Sequence, residues 1–139
     1  MIEFHYETEF RLDNKARFAD WVSRVIASES GKPSAINYIF CSDAYLLELN
    51  KKHLAHDTLT DILTFDTSTG KKVGGDIFIS VERVTENAET YGTTFEDELL
   101  RVMAHGLLHI FGYKDRTESD TIQMRDKEDE KIQLFHVEQ

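Results

Sequence analysis

A single cysteine, Cys41, stands in a chain of 139 residues, so no disulfide closes within it and no all-cysteine zinc site can form. Proline is as scarce, with Pro33 alone, and the seven glycines are not gathered into a linker or low-complexity tract. Positive charge is in deficit: 16 Lys and Arg against 26 Asp and Glu leave a formal net charge of −10. That balance excludes histone-like gripping of nucleic acid through bulk charge, although a local basic patch is still allowed. No stretch approaches the ~20 apolar residues of a membrane span. The opening residues, Met-Ile-Glu-Phe-His-Tyr-Glu, lack the basic start and apolar core of a secretory signal. The expectation is a cytoplasmic protein with no membrane partner and no small-molecule cofactor. With 40% hydrophobic and 30% charged residues, the composition is that of a globular chain, and residues 1–139 suffice for one domain.

Apolar patterning places the elements. Ile2, Phe4 and Tyr6 alternate with polar neighbours, the period of a half-buried strand. Phe18, Trp21, Val22, Val25 and Ile26 recur at helical spacing within 14–27, with Gly31 and Pro33 expected to stop that helix. A β-branched and aromatic run over 35–41 reads as a second strand. Ser42 or Asp43 can cap a short helix carrying Tyr45, Leu46 and Leu49. Strands are expected at 61–66 and 76–80, with Gly74-Gly75 before the second as either a hairpin turn or a place for substrate to approach an exposed sheet edge, then a helix over 81–91 ended by Gly92. Thr94 with Asp97, or equally Thr93 with Glu96, fits a capping box before an apolar, buried helix that runs to Phe111. A charged helix over 117–135, packing through Ile122, Ile132 and Leu134, closes the chain. The order β-α-β-α-β-β-α-α-α gives an α+β domain: a mixed sheet of about four strands covered by helices.

The chemistry is concentrated at His105-Gly-Leu-Leu-His109-Ile-Phe-Gly112-Tyr113-Lys114-Asp115. Two histidines at i,i+4 on a helix lie ~40° apart in projection and ~6 Å apart along the axis, so both rings can meet one ion. Gly112 admits a tight or left-handed turn that brings Asp115 back beneath them as a third ligand. Two imidazoles and a carboxylate suit Zn²⁺ and leave its fourth position to water, whose pKa such an ion lowers toward ~7. Both histidines interrupt an apolar helix, where unpaired polar rings are costly. Gly106 stands where the zinc proteases of the H-E-x-x-H type carry their glutamate base, which disfavours peptide hydrolysis by that route.

This stretch resembles the hallmark H-G-x-L-H-L-x-G-Y-D-H of the YbeY-type bacterial rRNA maturation factors. Leu49-Asn50, Asp57 and Thr60-Asp61-Ile62-Leu63-Thr64-Phe65 resemble the family's L-N…D…T-D-V-L-S-F segment. Gly75-Asp76-Ile77 with Ile79-Ser80 is similar to its G-D-I-x-I-S strand, and Phe95-Glu96 with Glu98-Leu99 to its F-x-x-E-L. The resemblance covers residues 46–115 and implies a metal-dependent, single-strand-specific endoribonuclease. It implies action near the 3′ end of 16S rRNA, in rRNA processing and ribosome biogenesis, with rRNA and ribosomal particles or ribosomal proteins as partners.

Two departures bear on mechanism. Asp115 stands where the hallmark has histidine, which leaves Fe(II), Ni and Mn open beside Zn²⁺. Leu54 stands where the family has an arginine thought to help catalysis, and leucine cannot hold a phosphate oxygen. His53 and His56, beside Asp57, are candidates for acid and base near a phosphodiester; an exposed helix end accounts for them as well. The loss of the arginine also motivates a second reading, a non-catalytic metal-binding factor in ribosome assembly. A two-histidine, one-carboxylate Fe(II) oxygenase is a third, disfavoured because such sites sit on β-barrel strands. Lys51, Lys52, Lys71, Lys72, Lys114 and Arg116 could form a basic rim for RNA or serve as ordinary solubilising charges. Glu98 lies on the histidine face, too far along the axis to reach the ion, in an outer-layer or solvated role. Residues 126–131 read as a solvated helix face, and Cys41 as a small core residue.

Overall fold

The computed structural model describes residues 1–54 and 60–137, the side chain of residue 54 excepted. Its elements in chain order are β1 (Ile2–Tyr6), α1 (Lys15–Ser28), β2 (Lys32–Cys41), α2 (Asp43–Leu54), β3 (Ile62–Asp66), β4 (Lys72–Ser80), α3 (Val81–Tyr91), α4 (Phe95–Phe111) and α5 (Glu118–His136). The strands form one mixed sheet in the order β1-β2-β4-β3. β2 runs parallel to β1 and to β4, whereas β3 returns antiparallel along β4, with Thr64 opposite Ile77.

Helices cover the sheet because one face of its central strands is apolar throughout, with Ile36, Tyr38 and Phe40 beside Ile77 and Ile79, while the other pairs Asn37 with Asp76 before it reaches Cys41 and Phe78. One core joins Trp21, Val22, Val25 and Ile26 of α1 to Ile36, Tyr38 and Phe40 of β2, Ile77 and Ile79 of β4, and Leu100, Met103 and Leu107 of α4. A smaller cluster, Cys41, Leu46 and Leu63, packs with Leu49, Phe65 and Phe78. Burial pushes the Cys41 thiol up to about 12, so it stays a protonated core residue. Buried polar atoms tie the layers: the Tyr38 hydroxyl donates to the Met103 carbonyl at 3.0 Å, and Trp21 Nε1 donates to the Lys131 carbonyl at 2.8 Å.

Several boundaries differ from the expectations. β2 starts at Lys32, so Pro33 lies within an extended strand, where the register with β4 shifts between Pro33 and Ile36. The left-handed residue after α1 is Ser30, at φ 63°, not Gly31. Gly74-Gly75 is not a turn; it lies inside β4, and the β3–β4 connection turns instead near Gly70, at φ 61°. Thr94, not Thr93, caps α4 by accepting from the Asp97 amide at 3.1 Å. The reciprocal capping box appears at α5, between Thr117 and Asp120. Ile122 does not pack, being 57% exposed; Met124 and Phe135 do so in its place.

Close approach explains two glycines at the α4–sheet contact. A Cβ on Gly106 would meet Ile62 Cδ1 and Ile77 Cγ2 at 2.9 Å, and one on Gly75 would meet Ile110 Cδ1 and the Phe65 carbonyl at 2.8 Å. Position 106 therefore faces the sheet and not the histidines. Gly106→Glu is expected to lower stability by about 3 kcal/mol or more, through overpacking and a buried carboxylate. Urea unfolding checks this, and wild-type stability in the variant would contradict it.

α5 is not a solvated helix. Lys131 is fully buried, its Nζ donating to Ser28 Oγ at 2.9 Å, Glu29 Oε2 at 2.7 Å and Glu130 Oε2 at 2.6 Å. Burial alone would raise the pKa of Glu29, but hydrogen bonds from Lys131 and Tyr113, with the charges of Lys131 and Lys127, hold it below the ordinary 4.5. A carboxylate depressed in the folded state contributes stability in full above its unfolded pKa and loses it as pH falls through the folded one. Glu29→Gln is thus expected to destabilise the protein at pH 7 and to flatten the decline of stability below pH 4.5, as read from unfolding curves at pH 7 and pH 3.

Candidate metal centre

Two turns of α4 and the loop behind it build the site. Gly112, at φ 106°, ends α4; its amide donates to the His109 carbonyl and that of Tyr113 to the Leu108 carbonyl, both at 3.0 Å. The left-handed turn reverses the chain. Tyr113 anchors the reversal, its hydroxyl donating to Glu29 Oε1 of α1 at 2.8 Å. His105, His109 and Asp115 each then offer a ligand atom within 4.8 Å of the others, the group of this kind among the described residues.

The outer partners fix how the rings face. His109 Nδ1 lies 3.1 Å from the Tyr113 carbonyl, which can only accept, so this nitrogen carries the proton. His105 Nδ1 lies 2.6 Å from Glu128 Oε2, and Asp115 Oδ1 accepts from Thr121 Oγ1 at 3.0 Å. With both Nδ1 groups engaged, the two Nε2 atoms turn toward one point, 2.9 Å apart, and Asp115 Oδ2 stands 3.9 Å from His105 Nε2. Lone pairs at that separation repel unless a proton or a cation lies between them. The donor set therefore fits a divalent cation, with a carboxylate and a backbone carbonyl orienting its imidazoles.

Burial and charge push the two imidazoles in opposite directions. Burial lowers the pKa of His105, but the hydrogen bond and charge of Glu128, with the charges of Asp61 and Asp115, outweigh it and raise the value. In His109, burial and the neighbouring His105 charge lower it. Ligand histidines must be neutral, so the lowered His109 suits a metal directly, while the carboxylate on His105 raises its basicity as a ligand.

The triad lies in a cavity of about 790 Å³ lined also by Thr60–Thr64 of the β3 edge, Asn87, Tyr91, Glu98, Arg101, Arg125 and Glu128. Burial raises the pKa of both Asp61 and Glu98 there. Glu98, 6% exposed, is not solvated as expected for one of its two readings; it is part of the cavity wall. The correction at 126–131 is larger, because Glu128 is only 5% exposed and joins His105 to Arg101 Nη1, 2.9 Å from its Oε1. The six charged residues of 126–131 hid this residue; its i,i+7 spacing from Thr121 on one helix face was the available signal.

Not every candidate comes to the site. His53 is exposed and sets its ring edge-on to Phe65, 5.9 Å between centroids, away from the residues lining the cavity. His56 and Asp57 lie outside the described residues. Of the proposed basic rim, Lys114 and Arg116 flank Asp115 and line the adjoining depression; Lys51, Lys52, Lys71 and Lys72 line neither.

Comparisons with known proteins point to one family. The family model described as Endoribonuclease YbeY matches residues 2–136. A protein of Flavobacterium johnsoniae named Endoribonuclease YbeY is 58% identical over 139 residues, covering 100% of both chains. One of the same name from Flavobacterium psychrophilum is 54% identical, over 100% of this chain and 99% of its own. A solution structure from Thermotoga maritima superposes with a TM-score of 0.67 at 28% identity, covering 97% of this chain and 89% of its own. With the histidine-glycine-aspartate centre set on its α+β scaffold and relatives aligned from end to end, the chain belongs to the endoribonuclease YbeY family.

Proposed function

We propose that this protein is a metal-dependent endoribonuclease that cuts single-stranded RNA near the 3′ end of 16S rRNA, with residues 1–139 acting as one domain. His105, His109 and Asp115 hold one Zn²⁺ ion, and pre-ribosomal particles present the substrate. The observation that carries the reading is the convergence of two outer-partnered imidazoles, 2.9 Å apart at Nε2, on the wall of an open cavity. A bound divalent cation polarises a phosphoryl oxygen and acidifies water.

The protein's own groups do the rest. Glu128 and the Tyr113 carbonyl hold the imidazoles in the Nε2-presenting tautomer, and Thr121 turns the Asp115 carboxylate inward. Thr60–Thr64, leading into and along the edge strand β3, line the same cavity and offer the surface along which a single strand would lie. A net charge of −10 makes affinity for free RNA low and leaves recognition to the assembled particle.

The test is cleavage of a single-stranded RNA by the purified protein, lost in His109→Ala at unchanged melting temperature. No cleavage by the metal-loaded wild type would favour a non-catalytic assembly factor instead. No helix among the described residues is long and apolar enough to cross a membrane, in keeping with a site of action among ribosomes in the cytoplasm.

A further inference from the structure

The walls of the metal cavity bring four carboxylates, Asp61, Glu98, Asp115 and Glu128, against two cations, Arg101 and Arg125. Four carboxylates against two arginines and one divalent cation leave no net positive charge to draw a phosphodiester in, so each protein cation on these walls counts. Arg101 is not available. Its Nη1 donates to Glu128 Oε1 at 2.9 Å and its Nη2 to Asp129 Oδ1 at 2.7 Å, so its guanidinium is committed to holding α5 on α4.

Arg125 is differently placed. It stands on α5 one turn before Glu128, with a side chain 60% exposed, and its Nη1 lies 3.9 Å from Glu128 Oε1. It donates no hydrogen bond to any described residue, so its fork of N–H groups is open to a ligand. Arg125 nonetheless lines the cavity together with Glu98, and its charge, with that of Arg101, favours the ionised form of Glu98 against burial.

We infer that Arg125 is the residue that grips the phosphate backbone of the RNA strand in the cavity, its guanidinium bridging the bound strand and the Glu128 carboxylate. Arginine suits this role because its planar fork engages two phosphate oxygens at once. The inference rests on RNA being the substrate of this site and adds the residue that seats it.

Binding of a fluorescently labelled single-stranded RNA oligonucleotide, followed by anisotropy across a salt series, tests it with the zinc-loaded protein. Arg125→Ala is expected to weaken binding about tenfold. It is expected to reduce the slope of log K against log salt by about 0.7, one single-strand phosphate contact. KM for cleavage rises by the same factor while zinc content and melting temperature stay at wild-type values. Arg125→Lys is expected to restore the salt slope but only part of the affinity, and Lys15→Ala on α1 to change neither. Affinity and slope within twofold of wild type in Arg125→Ala would overturn the inference. So would an equal loss in Lys15→Ala, which marks a diffuse charge effect, or an absence of RNA binding by the wild type. If the wild type binds RNA and Arg125→Ala does not, but neither cleaves, the proposed reaction fails while the role of Arg125 stands.

Discussion

His109→Ala is expected to reduce cleavage of single-stranded RNA by more than 100-fold and to leave the purified protein with less than a tenth of the wild-type zinc. Losing an outer partner of a metal ligand already costs about 10- to 100-fold in affinity or activity, and His109 is a ligand itself in the arrangement proposed here. The fold is expected to survive, because the His109 ring lies on the cavity wall and the core around Leu107 and Leu108 is independent of it. Apo wild type and apo variant should therefore melt within a few degrees of each other, whereas zinc should raise the melting temperature of the wild type alone. Elemental analysis after purification without a nickel column gives the metal content. Retention of one zinc per chain in both His109→Ala and Asp115→Ala would remove the proposed centre.

The second large effect belongs to a residue that is not a ligand. Glu128→Gln keeps the size of the side chain but replaces the carboxylate that accepts from His105 Nδ1 at 2.6 Å and Arg101 Nη1 at 2.9 Å. With an amide in its place, one of the two donors faces an N–H group, and His105 loses the negative partner that makes it a stronger ligand. Zinc affinity, measured by chelator competition, is expected to fall about 10- to 100-fold, with kcat falling in step. Stability should drop by about 1–3 kcal/mol, since a nearly buried charge-assisted pair is broken. A variant with wild-type zinc affinity would show that Glu128 only fastens α5 to α4.

What could be read in the sequence divides along a physical line. The grouping of the three candidate ligands was legible because it is local: His105 and His109 share a helix face by spacing alone, and Gly112 announces the reversal that returns Asp115. The strands, their mixed directions and the α1 core were legible from period and β-branching. Glu128, Thr121 and Arg125 were not, because their meaning depends on which face of α5 docks against α4, a tertiary fact. Charge density in 126–131 pointed to solvent, while the docking put Glu128 and Lys131 inside with partners. Gly74-Gly75 misled for a related reason: a glycine pair signals a turn locally, but here it lies within β4, where a Cβ on Gly75 would meet Ile110 and the Phe65 carbonyl and one on Gly74 would meet Thr67 and the Ala35 carbonyl.

The last helix supplies Glu128 to one imidazole, Thr121 to the carboxylate and Arg125 to the mouth of the cavity, while itself providing none of the three ligands. In the arrangement proposed here, loading of the ion and seating of this helix are one linked equilibrium. A protein stripped of its ion should exchange the amide hydrogens of 118–136 faster than those of the sheet, and a helix pried loose by a neighbouring macromolecule should release the ion. On that arrangement the nuclease carries its own interlock, the docking of its last helix and the filling of its centre rising and falling together.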